Sequence, residues 1–273
     1  MPRRLLGLLL VLPALTVILF LFVLPLALSV IGAFETEAGY GLGNFTKSFA
    51  LYSSDILFTV VIVSLSTCLI GLFSIAIGGY LTLGENPRAV AILRWLYRWP
   101  LFIPFIVVGQ VLRTFLAKNG LMNNILVGAG LITPLQAVSF LDWRGIVIAF
   151  VWKQTPFVTL LLAGAMASVD RGTIEAARNL GASRLRILIE ILVPQVATTL
   201  MVGLVLSFVT MMSVLSVPLM INAQSPTMLT ADIAFRINAY GDYGVANALG
   251  LISLAATACV AWFYLRQSMK ERG

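Results

Sequence analysis

A chain of 273 residues that is 60% hydrophobic and 11% charged, with a mean hydropathy of +0.99, has too little polar surface to close a water-soluble globule. Its net charge of +7 points to an anionic surface, but the cations stand at the ends of apolar runs and form no nucleic-acid patch, so they serve membrane topology. The lack of histidine removes Ser-His and Cys-His catalysis, and Cys68 and Cys259 lie within apolar runs, which leaves few soft metal ligands and disfavours a disulfide.

The apolar runs are too long and too uniform for barrel strands, so the expected fold is an all-α integral membrane protein, one domain over 1–273 with six transmembrane helices. The first span is expected at 5–31, behind Arg3-Arg4. It is about twice the length of a signal-peptide core, so it reads as an uncleaved span. The second is expected at 56–83, where Gly78-Gly79 allows close helix approach, and the third at 95–116, trimmed by Arg98 and Arg113. The fourth follows at 145–167, the fifth at 196–221 and the sixth at 245–265. With the N-terminus cytoplasmic, the inner segments hold Arg3, Arg4, Arg88, Arg94, Arg98, Arg171, Arg178, Arg184, Arg186, Arg266, Lys270 and Arg272, against Lys47, Arg113, Lys118, Arg144 and Arg236 outside. That asymmetry is expected to place both termini of a multi-pass membrane protein in the cytoplasm.

Polar residues within spans are costly unless they face protein or a water-filled cavity. Span four carries Trp152-Lys153-Gln154-Thr155-Pro156, in which Lys153 and Gln154 either hydrogen-bond a solute or, for Lys153, pair with a backbone carbonyl or carboxylate at a helix interface. Gln110 of span three reads best as a helix bridge. Ser207, Thr210 and Ser213 recur at helical spacing along span five, which ends at Asn222; these are candidates for a solute path or for close packing. Met211-Met212 adds flexible apolar surface. Outside, the stretch 225–243 carries Asp232, Arg236 and Asp242 as candidate charged contacts.

Between spans four and five lies a polar, amphipathic segment, 168–194. Asp170 or Thr173 can cap a helix start, Glu175 in the first turn favours the positive end of the helix dipole, and Ala176, Ala177 and Leu180 form a slim apolar face. Gly181 stands where a helix ends through a left-handed residue, Ser183 can cap a second helix, and Pro194 marks the start of span five. The expected shape is a short helix, a sharp turn and a second helix. A membrane-surface hairpin would account for the arginines but not for a Glu-Ala-Ala followed at fixed distance by Gly and Pro.

The spacing Glu175-Ala176-Ala177, Gly181, Ile191 and Val193-Pro194 resembles the loop of the membrane subunits of binding-protein-dependent ABC importers, with Val in place of the usual Leu before the proline. The likeness covers nearly the whole chain. It implies a type I importer permease whose coupling helix docks in a groove of a cytoplasmic ATPase dimer, through Glu175, Ala176, Ala177 and Gly181 with Arg178 and Arg184 flanking. It also implies an extracytoplasmic solute-binding protein that meets Asp232, Arg236 and Asp242. A second permease subunit, a paralogue in preference to a copy, would complete a path lined here by Lys153, Gln154, Ser207, Thr210 and Asn222. No Gly-rich phosphate loop is present, so ATP and magnesium belong to the partner ATPase and this chain is a non-catalytic subunit without cofactor or metal. Asn179-Leu180-Gly181-Ala182-Ser183 resembles polyamine, ferric-ion and aminoalkylphosphonate permeases, whereas Trp152-Lys153 and Pro156-Phe157 look more like sugar permeases, so the solute class stays open. The alternatives are a secondary transporter, which would need an intramembrane carboxylate or internal repeat, and a membrane scaffold.

Overall fold

The computed structural model describes residues 3–37, 39–222 and 224–270; Arg272 lies outside them, as do the side chains of Arg3, Arg4 and Lys270. The chain opens with α1 (Arg3–Ile18) and α2 (Leu24–Phe34), joined by a wide helical turn at Leu19–Val23. Pro25 has no N–H to return to the preceding turn, and a wide turn there accommodates the lost bond without breaking the rod. A two-residue antiparallel pair, β1 (Glu35–Thr36) and β2 (Gly39–Tyr40), leads into α3 (Gly43–Leu83). The second span was expected from residue 56, but α3 starts thirteen residues earlier, because nothing between Asn44 and Ile56 breaks a helix; Tyr52 alone departs from helical angles and bends the rod.

Next come α4 (Pro87–Leu96), capped by Asn86, then α5 (Phe105–Leu116) and the short α6 (Leu121–Gly128). Where the sequence suggests one third span at 95–116, the structure has two arms, Pro87–Phe102 and Phe105–Gly128, bent by 107°. Pro104 is the reason: it has no N–H for the Pro100 carbonyl, and proline holds Ile103 extended. α7 (Trp143–Ala167) is continuous. Beyond it lie α8 (Arg171–Asn179), α9 (Arg184–Ile187) and α10 (Val193–Gln195), then α11 (Ala197–Ser213) after a 75° bend. The expected fifth span, 196–221, is interrupted at Val214, which is extended; α12 (Ser216–Ile221) restarts with Pro218 in its first turn. α13 (Leu229–Phe235) and α14 (Tyr243–Lys270) complete the chain.

Among the described residues four helices, Val11–Phe34, Gly43–Leu83, Trp143–Ala167 and Tyr243–Trp262, are long and apolar enough to cross a bilayer, and the two bent pairs bring the number to six when each counts as one span. α7 is the hub: it packs along α3 and against α11, with Ile62, Val63 and Ile70 meeting Ile146, Phe150, Val158, Phe208 and Met211. Met211 and Met212 are both buried, as packing. α1–α2 is the opposite case, with Ala33 its one buried residue among those described, and it joins the bundle through α14.

Gly79 and Gly145 are among the glycines that set helix spacing. A Cβ on Gly79 would stand 2.7 Å from both Leu188 methyls, and one on Gly145 would meet the Phe140 carbonyl oxygen and come within 2.8 Å of Ile221 Cγ2. The Phe140 obstacle is backbone and cannot rotate away. Gly145→Ala is therefore expected to cost about 1–3 kcal/mol through overpacking, read as a lowered thermal-unfolding midpoint of the detergent-purified chain; an unchanged midpoint would show that the loop before α7 gives way freely.

Candidate functional site

The site begins with the local chemistry of 168–183. Asp170 caps α8, its Oδ1 accepting from the Gly172 N–H and its Oδ2 from the Thr173 N–H, both at 3.2 Å. Helix numbering from that cap puts Glu175 in the second turn, not the first as the sequence suggested, so Asp170 supplies the negative charge at the helix start. The end is a left-handed stop: Gly181 has φ +82°, its N–H donates to the Arg178 carbonyl at 2.9 Å, and the Ala182 N–H donates to Ala177 at 3.0 Å. Ser183 then caps α9 by accepting from the Arg186 N–H at 3.3 Å. The helix, sharp turn and second helix are all in place.

The faces of α8 are unequal. Ile174 is buried and Ala177 half-buried against Leu83, Met166 and Ile187, which anchors α8 on the ends of α3 and α7. The Arg178 guanidinium turns the same way and donates to the Leu83 carbonyl at 3.5 Å. On the other side Gly172, Ala176, Asn179 and Leu180 are exposed, Leu180 to 89%. A large aliphatic that open to solvent, on a capped and anchored helix, is a knob without a hole. The six residues singled out from the sequence are thus divided. Ala176 shares the outward face with Leu180, Glu175 lies on the flank, Ala177 and Arg178 face inward, and Gly181 forms the turn. Arg184 forms an ion pair with Glu85, just after α3. Leu180 and Glu85 were not singled out as site residues; the signal for Leu180 was a lone aliphatic between Asn179 and the terminating glycine.

The polar residues of the spans do not converge. The Lys153 ammonium donates to the Pro100 and Leu101 carbonyls, each at 2.9 Å, and stands 5.6 Å from the Phe105 ring centroid. Of the two readings of this lysine, the structure shows the pairing with backbone at a helix interface. Gln154 and Ser207 are buried inside the chain, Ser207 with its hydroxyl unpartnered, so neither reaches an open face. Thr210 donates to its own helix at Leu206, 2.7 Å away, and Ser213 to Thr210 at 2.9 Å, both on a more open side of α11. Asn222 braces a turn: its Nδ2 donates to Pro226 at 3.0 Å and its carbonyl accepts from Thr227 Oγ1 at 2.8 Å. Gln110 makes no side-chain bridge to another helix among the described residues; it is exposed on α5.

At the end of the bundle opposite α8, the three expected surface charges fold inward instead. Asp232 is buried, Arg236 donates to the Tyr52 hydroxyl and lies between the Tyr52 and Tyr240 rings, and Asp242 binds Lys47 at 2.8 Å with Arg236 at 3.5 Å. Asp242 also caps α14, accepting from the Val245 N–H at 3.2 Å, and Lys47 and that N–H hold its carboxyl below the usual range despite partial burial. Around this clasp the open side chains are Phe235, Tyr240 and Tyr243. Beneath it Asp55, also buried, accepts from the Thr227 N–H at 2.7 Å and Thr59 Oγ1 accepts from the Leu229 N–H at 2.9 Å, so α3 holds the strand-like segment before α13. The sequence signal missed here was an acid immediately ahead of an apolar run, four residues from a threonine.

Burial, reinforced by the Asp55 carboxylate and opposed by Arg236, pushes Asp232 up to about 7. An aspartate whose folded value lies above its unfolded value costs stability as it ionises, so stability falls as pH rises from about 4 and levels off above about 7. Asp232→Asn is expected to unfold at the same temperature as wild type near pH 4 and about 2–4 °C higher near pH 8; parallel curves for the two proteins from pH 4 to 8 would refute this.

Comparison with known proteins agrees with this architecture. Residues 72–271 match the family described as the binding-protein-dependent transport system inner membrane component. The trehalose/maltose transport system permease protein MalF of Thermococcus litoralis is 30% identical over 96% of this chain and 92% of its own length. The sulfoquinovosyl glycerol transport system permease protein SmoG of Agrobacterium fabrum is 26% identical over 96% and 90%. Among solved structures, a chain of a bacterial alginate ABC transporter, in complex with an alginate pentasaccharide-bound periplasmic protein, superposes with a TM-score of 0.83 over 98% of this chain and 95% of that one, at 21% identity.

Proposed function

Because the chain belongs to the family of inner membrane components of binding-protein-dependent transport systems, we propose that it forms half of the translocation path of an ATP-driven importer and carries the coupling helix for a separate cytoplasmic ATPase. In this reading the α8 end faces the cytoplasm, as do both termini, and the Lys47–Arg236–Asp242 clasp faces the extracytoplasmic binding protein. The observation that carries it is the outward face of α8, where Ala176 and the open Leu180 are presented by a helix fixed at both ends. Movement of that face has a direct route inward, since Ile174 packs on the Leu83–Met166–Ile187 cluster, Arg178 reaches the end of α3, and Arg184 is tied to Glu85. Glu175 and Gly181 serve the same docking, the first as flank and the second as the turn. ATP and magnesium stay with the ATPase.

The solute path lies between this chain and a second permease subunit, a paralogue, and the polar positions that face out of this subunit, Gln110, Thr210 and Ser213, line it in preference to Lys153, Gln154, Ser207 and Asn222. The two relatives described above, which match along nine-tenths of their length, are named for sugars, which favours a sugar or other small polyhydroxylated solute over a polyamine. Tied to two carbonyls, Lys153 takes no part in that choice. The aromatic rim Phe235, Tyr240 and Tyr243 meets the binding protein, with Arg236 and Asp242 stiffening it from below.

The test is co-purification with the ATPase encoded beside this chain. Wild type is expected to retain the ATPase and Leu180→Asp to lose at least nine-tenths of it while inserting normally. Undiminished capture by Leu180→Asp would mean that the outward face of α8 is not the docking surface.

A further inference from the structure

Behind α8, on the side away from Leu180, lies a cavity of about 580 Å³ between α4, the ends of α3 and α7, and α8 itself. Its apolar floor includes Leu81, Leu160, Met166 and Ile174, and Arg94, Arg98, Arg171 and Arg178 all contribute to its wall, against a single carboxylate, Glu175. The guanidiniums come from separate elements: Arg94 from α4, Arg98 from the bend after it, Arg171 and Arg178 from successive turns of α8. Arg178 is engaged at the Leu83 carbonyl and Arg98 with Tyr97, but Arg94 and Arg171 have no hydrogen bond or ion pair among the described residues.

Like charges gathered at a concave, partly apolar site raise the local affinity for an anion, because field lines concentrate in the cleft. Docking of the ATPase needs none of these four on the inner side of α8, and topology requires only that cations lie at this end, not that they converge. Arginine forks suit tetrahedral oxyanions with several acceptors. The volume holds a phosphate with a glycerol- or sugar-sized substituent. On the adjoining stretch of α4 and its bend, Trp95 and Trp99 are both open, with ring centroids 4.8 Å apart, the placement of residues at a bilayer–water boundary.

We propose that the cavity enclosed by Arg94, Arg98, Arg171 and Arg178 is a binding site for a phosphate ester, either the headgroup of an anionic phospholipid of the adjacent leaflet or a small phosphorylated solute. A ligand held there links the α4 bend to α8, so its occupancy restrains the movement of α8 relative to the third span. The site goes beyond the importer reading and stands or falls without it.

The full chain is purified in mild detergent from membranes, and retained phosphatidylglycerol and phosphatidylethanolamine are measured by native mass spectrometry. In parallel, thermal unfolding is followed with and without 5 mM glycerol 3-phosphate, with equimolar sodium sulfate as the ionic control. Wild type is compared with Arg94→Gln/Arg171→Gln, with the charge-retaining Arg94→Lys/Arg171→Lys, and with Lys118→Gln at the other end of the molecule. Selective retention of phosphatidylglycerol, reduced at least fivefold in the glutamine pair but not in Lys118→Gln, assigns the site to a lipid headgroup. Stabilisation by glycerol 3-phosphate beyond sulfate, absent from the glutamine pair and partly kept by the lysine pair, assigns it to a soluble phosphate ester. If neither ligand binds, or if both bind the glutamine pair as they bind wild type, the proposal is wrong. Should the double variant not insert, the single Arg94→Gln at an exposed position of α4 carries the same comparison.

Discussion

Gly181→Val is expected to reduce ATP-driven uptake and binding-protein-stimulated ATPase activity to less than a tenth of wild type, while the chain still inserts and unfolds within a few degrees of its normal midpoint. Gly181 holds φ +82°, a conformation that costs a β-branched residue about 1–2 kcal/mol or more. Among the described residues, nothing beyond its chain neighbours lies within 4 Å of the position a Cβ would take, so the spans do not feel the substitution. What changes is the angle between α8 and α9, and with it the direction in which Leu180 and Ala176 are presented. Gly181→Asn separates backbone from bulk, since asparagine adopts the left-handed region more readily. Recovery of uptake to above half of wild type assigns the defect to the backbone turn; loss equal to that of valine assigns it to crowding in the partner's groove. Full coupled transport by the valine variant would remove α8 from the mechanism. The readouts are uptake and ATPase rates in proteoliposomes holding the complete transporter.

Lys153→Met is expected to lower the unfolding midpoint by more than about 5 °C, and to reduce uptake only in proportion to the folded protein that remains. The ammonium satisfies carbonyls that the Pro104 break has orphaned: among the described residues Pro100 has only a long 3.3 Å bond from the Ile103 N–H besides the lysine. Within a bilayer no water replaces the lost donor, and a buried unsatisfied acceptor costs about 1–3 kcal/mol. The Leu101 carbonyl bears that cost in full, and Pro100 is left with its long bond from Ile103 alone. Conversely, if Lys153 contacts solute, the methionine variant would keep its midpoint and lose uptake with a raised KM. Thermal unfolding and initial uptake rates over a range of solute concentrations distinguish the two outcomes.

How far the sequence could be read follows from the range of each signal. The ends of α8 were visible because Asp170, Gly181 and Ser183 act on backbone within three residues of themselves, and short-range chemistry is written locally. Lys153 was ambiguous because its partners lie more than fifty residues away and exist only because of a proline break that looked like the middle of one span. Asp232, Arg236 and Asp242 read as surface charges because a loop of that composition is usually solvated. Their true environment depends on Tyr52 and Asp55, which the overlong α3 brings up from an apparently separate loop. Gly79 was legible as a close approach, though its partner, Leu188, was not.

α3 runs 41 residues, about 60 Å along its bent axis, roughly twice the apolar thickness of a bilayer. Asp55 near its outer end grips the segment before α13, and Leu83 at its other end receives Arg178 of α8. In the orientation proposed above, the same helix therefore has a hand in both compartments. If the chain docks a binding protein at one end and an ATPase at the other, as proposed, the two events need no relay of side chains between them. A tilt of 5° about the midpoint between those two grips, some 42 Å apart along the helix, carries each end about 2 Å in opposite directions. The bundle then behaves as a seesaw whose fulcrum is the α7 packing, and loosening that fulcrum should uncouple the two sides even when both docking surfaces are whole.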